Sequence, residues 1–142
     1  MLETVFSICS TLAVVGWLLL ATLPRHRGAH LVASVAIPVT ISLVYLWLIV
    51  QHFGSSDGGF GSLADVQRLF ANPAALLAGW VHYLAFDLFI GAWEVRDAQR
   101  HGVPHLLVLP CLGFTFMFGP IGLLGYLLLR TWKAGTPEVA DA

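Results

Sequence analysis

Four long stretches of apolar residues divide the chain, and short polar segments separate them. They cover approximately residues 5–23, 31–50, 74–93 and 106–129. About 20 apolar residues in a helix cross the roughly 30 Å of hydrocarbon in a bilayer, so each stretch is long enough to span it. The alternating pattern of a membrane β-barrel is absent. The pattern predicts an all-α, polytopic integral membrane protein, with one four-helix bundle domain over residues 1–142.

A short interfacial helix is predicted between the second and third spans, at about residues 62–71. The glycine-rich run at 54–59 is incompatible with a helix. Ser62 and Asp65, which follow it, match a variant of the N-terminal capping box. Apolar residues then recur at helical spacing, which favours a helix that lies in the membrane interface.

Proline positions predict the shape of the last two spans. Asn72 and Pro73 suit the N-cap and the first turn of the third span. In the fourth span, Pro120 follows Gly119 and cannot donate a hydrogen bond to the carbonyl of Phe116. We therefore expect a kink in the fourth span at this point.

Composition agrees with a membrane protein and excludes some function classes. Hydrophobic residues make up 58% of the chain and charged residues only 11%, against about 25% charged in soluble domains. The net charge is −1, and without a basic run no nucleic-acid partner is expected. The first span lacks the features of a targeting peptide, so we expect a bacterial inner membrane, with lipids around the bundle. Arg130 is expected to snorkel to the headgroups.

The third span carries ionisable residues at membrane depth. On a helical wheel of about 100° per residue, six residues fall within an arc of roughly 80°: Gly79, Tyr83, Asp87, Ile90, Glu94 and Asp97. A charge at the bilayer centre costs about 2.5–3.5 kcal/mol on insertion scales, so this face is expected to point into the bundle. Low dielectric favours a neutral carboxyl group, which suits Asp87 as a proton donor. Glu94 or His82 is then the candidate base, and Tyr83 orients the acid.

A metal site is the competing interpretation of the same segment. Oxygen or nitrogen ligands are available from His82, Asp87, Glu94, Asp97 and His105. Four-helix bundles hold metals with inward carboxylates and histidines, but the Glu-x-x-His pattern of di-iron bundles is absent here. A metal ion or haem in a membrane oxidoreductase therefore stays an alternative.

A long series of motifs runs from the third predicted span into the fourth. It includes Asn72-Pro73, GWVHYLAFDL at 79–88, Gly91, Trp93-Glu94, Arg96-Asp97, Pro104-His105, Pro110-Cys111 and TFMFGPIG at 115–122. Over residues 72–130 the chain resembles the abscisic-acid-deficient-four family of small polytopic membrane proteins. The plant member of that family is linked to the formation of neoxanthin from violaxanthin in plastids.

The resemblance implies a carotenoid-modifying enzyme, an isomerase like neoxanthin synthase that acts on a xanthophyll. Opening a 5,6-epoxide to an allene is redox-neutral, because one proton adds to oxygen and one leaves carbon. No cofactor is required, and an acid and a base suffice. The candidate catalytic residues are Asp87, Glu94, His82 and Tyr83. The candidate substrate-binding residues for a lipid-soluble polyene are Trp80, Asn72, Phe116, Phe118 and Trp93.

One further function class is open at this point. A non-catalytic carotenoid or isoprenoid binder would have the same apolar composition and would not need the acid and the base. The large lipid-facing surface of so small a bundle would also suit a homo-oligomer.

Overall fold

Helices account for nearly all of the part of the chain that is described. The computed structural model describes residues 1–52 and 57–134, and no strand occurs within them. The helices are α1 (Leu2–Thr22), α2 (Arg27–His52), α3 (Leu63–Ala71), α4 (Pro73–Arg100), α5 (His105–Phe118) and α6 (Pro120–Ala134). Helices α1, α2 and α4 are each long and apolar enough to cross a membrane.

The predicted helix ends have the expected local contacts. The Asn72 side chain accepts hydrogen bonds from the backbone N–H groups of Ala74 and Ala75, at 2.9 and 3.3 Å. At the start of α3, the Ser62 hydroxyl oxygen accepts from the Asp65 N–H at 3.1 Å. Hydrogen bonds from Ser62, and then from Arg68, hold the pKa of the exposed Asp65 carboxyl below its usual value. The helix predicted at 62–71 is thus present as α3. Residues 53–56, which contain the start of the glycine-rich run, lie outside the described residues.

Helix α2 contains a local change of helix type. Residues Val32–Ala36 form a π-helical segment between two α-helical parts. Pro38 follows it and cannot donate a hydrogen bond to the carbonyl of Ser34, which interrupts the α-helical hydrogen-bond ladder. One side of this part of α2, which includes Ser34 and Pro38, is buried, and Val32 and Val35 on the other side are exposed.

Helix α4 is the central helix and packs against α1, α2 and the α5–α6 segment. Glycines allow α1 to approach it closely. A Cβ atom on Gly91 would lie 2.5 Å from the ring of Trp17, and one on Gly16 would lie 2.6 Å from Leu88. Large apolar side chains on the outer surfaces of α1, α2, α5 and α6 are exposed, which is the surface expected of helices in contact with lipid.

The fourth predicted span is not one kinked helix, and the four-helix bundle is corrected accordingly. Helix α5 ends at Gly119, which has φ +49°, and α6 begins at the next residue. The backbone then doubles back, because a Cβ on Gly122 would overlap the backbone of Thr115. The 14 residues of α5 rise about 21 Å, less than the roughly 30 Å of a hydrocarbon core. The architecture is three long helices plus a short helical hairpin.

Candidate functional site

The ionisable residues of α4 lie where the α5–α6 hairpin packs against it. We call Tyr83, Asp87, Glu94 and Asp97 the polar face of α4. Each of them contacts or closely approaches a residue of the hairpin. The polar face therefore points inward, toward protein and away from the outer surface.

The tip of the hairpin lies against Asp87. A Cβ on Gly119 would be 3.1 Å from both carboxyl oxygens of Asp87, so glycine serves here both for its positive φ and for this close approach. One of those oxygens, Oδ2, is buried and has no hydrogen-bond partner among the described residues. A buried carboxyl oxygen without a partner is costly, and a catalytic role is one of the explanations for such a group.

Tyr83 supplies a hydrogen bond that Pro120 cannot make in the hairpin. Its hydroxyl donates a hydrogen bond to the carbonyl of Phe116 at 3.1 Å. In a continuous helix that carbonyl would accept from residue 120, but proline has no N–H. Tyr83 lies one helical turn before Asp87, and the two side chains interact. A phenol and a carboxyl group therefore lie one helical turn apart at the hairpin tip.

Glu94 is fully buried in the middle of the polar face. Its Oε1 accepts a hydrogen bond from the Thr115 hydroxyl at 2.9 Å. Its Oε2 is buried with no hydrogen-bond partner among the described residues. Glu94, like Asp87, therefore has one buried carboxyl oxygen without a hydrogen-bond partner among the described residues.

A cluster of polar side chains joins α4 to α6 at the base of the hairpin. Tyr126 donates to Asp97 Oδ2 at 2.5 Å, and the Arg130 Nε lies 3.2 Å from the same oxygen. Arg130 also donates through Nη2 to His101 Nε2 at 2.6 Å. The prediction that Arg130 snorkels to the headgroups is wrong, because its side chain is only 3% exposed and paired with Asp97.

The candidate metal ligands do not converge. His82 points away from the polar face, with its ring stacked on Phe86 at 4.6 Å and 5.6 Å from Tyr45. His105 bonds through Nε2 to the backbone carbonyl of Ala21 at 2.9 Å. Over residues 1–52 and 57–134, no group of three or more His, Cys, Asp or Glu side chains could hold a metal ion.

An apolar groove opens between α4 and the hairpin tip, beside Tyr83. We call it the tyrosine groove, and its volume is about 720 Å³. Three of the five candidate substrate-binding residues, Trp80, Phe116 and Phe118, line it together with Tyr83. The other two lie elsewhere in the structure. Asn72 caps α4, and Trp93 packs edge-on against Tyr126 at 5.5 Å.

Several residues of the site are not evident from the sequence. Thr115 and Tyr126 are ordinary core residues by pattern, and the role of Gly119 depends on a chain reversal that the pattern does not show. The sequence does hold a signal for the polar cluster at the base of the hairpin, because Tyr126 and Arg130 are four residues apart and so share one helix face. Residues Asp97 and His101 have the same spacing on α4.

Comparison with known proteins gives one match. Neither a curated protein nor a solved structure matches the chain. A family model described as ABA DEFICIENT 4-like matches residues 4–126. The match includes the first two helices as well as the motif-rich α4 and most of the hairpin. The chain belongs to the ABA DEFICIENT 4-like family.

Proposed function

We propose that this protein is an enzyme that isomerises a carotenoid-like polyene inside the membrane by acid/base chemistry. Membership of the ABA DEFICIENT 4-like family supports a role in carotenoid or abscisic acid metabolism. The observation that carries the proposal is the Tyr83–Asp87 pair, where an apolar groove meets a half-buried carboxyl group whose buried Oδ2 has no hydrogen-bond partner among the described residues.

The tyrosine groove suits a lipid-soluble ring with few polar atoms. Its lining is aromatic and aliphatic, and Tyr83 is the one ionisable side chain among the described residues that form it. Binding sites of this kind combine an apolar wall with a small number of placed polar groups. A ligand ring in the groove would therefore meet the Tyr83 hydroxyl as its hydrogen-bonding and proton-donating partner.

The proposed reaction opens an epoxide without a change in oxidation state. As the C–O bond breaks, the Tyr83 hydroxyl leaves the Phe116 carbonyl and gives its proton to the epoxide oxygen, and one proton leaves the adjacent polyene carbon. That proton returns to the Tyr83–Asp87 pair, so both groups end the turnover as they began. Asp87 acts behind Tyr83 as the proton reservoir. Glu94 and His82, the other candidate bases, do not line the groove.

Co-expression tests the proposal directly. The protein is produced in a bacterium that makes carotenoids, supplied with cyclic, hydroxylated and epoxidised forms, and the pigments are separated by chromatography and weighed by mass spectrometry. We expect a new pigment of unchanged mass. Asp87→Asn should abolish it, and Tyr83→Phe should reduce it by about 10²- to 10⁴-fold, the usual range for general acid–base catalysis.

Controls separate chemistry from folding. Glu3→Gln removes an exposed carboxylate in the first turn of α1 and should leave the pigment yield unchanged. Each variant is also compared with wild type by elution volume and thermal unfolding in detergent. A new pigment that persists in Asp87→Asn would overturn the proposal, as would a product of altered mass. A carotenoid that co-purifies without any new pigment would instead establish a non-catalytic binder.

A further inference from the structure

A second cavity lies on the opposite side of α4 from Asp87. It lies between α2, α3 and α4, is partly open to the outside and has a volume of about 390 Å³. Most of its lining is apolar, and its polar side chains are Tyr45, His52 and His82. We call it the histidine cavity. An apolar cavity with a few polar groups on its wall fits a ligand that has an apolar body and one hydrogen-bonding group.

His82 is the polar group best placed to meet such a ligand. Its exposed ring is stacked on Phe86 at 4.6 Å and lies 5.6 Å from the ring of Tyr45. This packing sets the plane of the imidazole. A histidine ring held in this way offers a hydrogen-bond donor or acceptor of defined direction to a hydroxyl group.

The histidine cavity and the tyrosine groove meet at one point. Both are lined by Phe70 of α3 and Gly79 of α4. Gly79 lies directly under the Phe70 ring, because a Cβ at that position would be 2.6 Å from Phe70 Cε1. One aromatic ring therefore separates the two spaces. That ring is 40% exposed, and α3 contains no buried residue, so little packing opposes its displacement.

We propose that the histidine cavity binds the hydroxylated end of the same polyene whose other end enters the tyrosine groove. The polyene chain crosses α4 over Gly79, beneath a displaced Phe70 ring. This inference depends on the proposed function for its class of substrate. An α-helix with its side chains is about 10–12 Å across, and a long conjugated chain with a ring at each end can reach both sides of it. His82 then selects ligands that carry a hydroxyl on the end remote from the reaction.

A binding comparison tests the role of His82. The purified protein is titrated in detergent with a carotenoid diol and with the parent hydrocarbon of the same length, and binding is followed by the visible spectrum. Wild type should prefer the diol by about fivefold to tenfold, the worth of one net hydrogen bond. His82→Phe, which keeps an aromatic ring against Phe86, should lose that preference while it still binds the hydrocarbon. An unchanged preference for the diol would overturn the inference.

Closing the passage tests the crossing at Gly79. Gly79→Ala should weaken binding of the long diol at least tenfold. It should weaken binding of a short single-ring alcohol less, because that ligand occupies the histidine cavity without crossing α4, although Gly79 also lines that cavity. Adding Phe70→Ala to Gly79→Ala removes the clash between the new methyl group and the Phe70 ring and should restore binding of the long diol. Gly113→Ala is the matched control, since a Cβ there would meet nothing within 4 Å. Equal losses for the long and short ligands would contradict the crossing.

The two proposals can fail separately. Asp87→Asn should leave the diol preference intact, because the carboxyl group lies on the other side of α4. If no variant and no condition yields an isomer but His82 still selects the diol, the catalytic proposal fails and the second binding site stands. If isomerisation is found but His82→Phe binds and converts the diol like wild type, the second site fails alone.

Discussion

Carboxyl groups at the two ends of the polar face of α4 have opposite surroundings. At the base of the hairpin, Asp97 is paired with Arg130 at 3.2 Å and accepts a hydrogen bond from Tyr126. At the tip, Asp87 lies against the backbone of Gly119, and its Oδ2 has no partner among the described residues. Both carboxyl groups face the same hairpin, so the difference arises from what the hairpin offers each of them.

The difference separates anchoring from chemistry. A buried carboxylate with an arginine and a phenol around it holds two helices in one arrangement, and removing a partner is costly. A buried carboxyl oxygen without a partner stabilises nothing by itself and is expected to have a function. We infer that the polar cluster at the base of the hairpin fixes the position of the hairpin. The hairpin tip is thereby held against Asp87 and Tyr83.

The largest effect on stability should come from disrupting the polar cluster at the base of the hairpin. Arg130→Ala removes the guanidinium from the Asp97 carboxylate, and the His101 ring, 3.3 Å away, is the basic side chain that remains beside it. Loss of one partner from a buried ion pair costs about 3–5 kcal/mol. Unfolding in mixed micelles, followed by tryptophan fluorescence, measures the change. Lys133→Ala removes an exposed cation from the same helix and should change the free energy of unfolding by less than about 0.5 kcal/mol. Equal effects of the two substitutions would contradict an anchoring role.

A second substitution opens the hairpin between its two ends. In Gly122→Ala the new methyl group would overlap the Thr115 backbone, so the helices must move apart. Overpacking of this kind costs about 1–3 kcal/mol, and the tip should lose its contact with Asp87. Gly113→Ala on α5 adds a methyl group in open space and should be neutral or stabilising by helix propensity. The free energies of unfolding of the two variants, measured in parallel, test whether the hairpin is closed at Gly122.

How far the sequence predicts this structure differs between the helices and the hairpin. Apolar length and the Asn72 cap predict α4 closely, because both depend on local properties of the chain. Gly119 followed by Pro120 is compatible either with a kink or with a reversal, since each needs only a broken hydrogen-bond ladder. The contact of Gly122 with Thr115 decides between them, and no local pattern encodes it. For the same reason the sequence does not show which partner satisfies Arg130.

A matched pair of isosteric substitutions compares the two ends directly. Asp97→Asn removes the charge that faces Arg130 and should destabilise the protein by about 1–3 kcal/mol, the cost of leaving a buried charged group unsatisfied. Asp87→Asn replaces a carboxyl group that is paired with no cation among the described residues, so its effect on stability should stay below about 1 kcal/mol although the isomer disappears. Parallel measurements of unfolding and pigment yield would contradict the comparison if both variants lost stability equally.

The smallest effect on stability should come from Glu94, which lies between the two ends. Gln at this position can still accept the hydrogen bond from Thr115. The amide nitrogen replaces an oxygen that already has no hydrogen-bond partner among the described residues, so Glu94→Gln should cost less than about 1 kcal/mol. Thr115→Val removes the bond that Glu94 Oε1 accepts and should cost about 1–2 kcal/mol. The pigment yield then shows whether Glu94 acts in the reaction with Asp87 or only helps to anchor the hairpin, as Asp97 does. We expect Glu94→Gln to lower the yield, but by less than Asp87→Asn. Like Asp87, Glu94 has a buried oxygen without a partner among the described residues, but Glu94 does not line the tyrosine groove. A Glu94→Gln variant that is destabilised as much as Asp97→Asn would place Glu94 with the anchor instead.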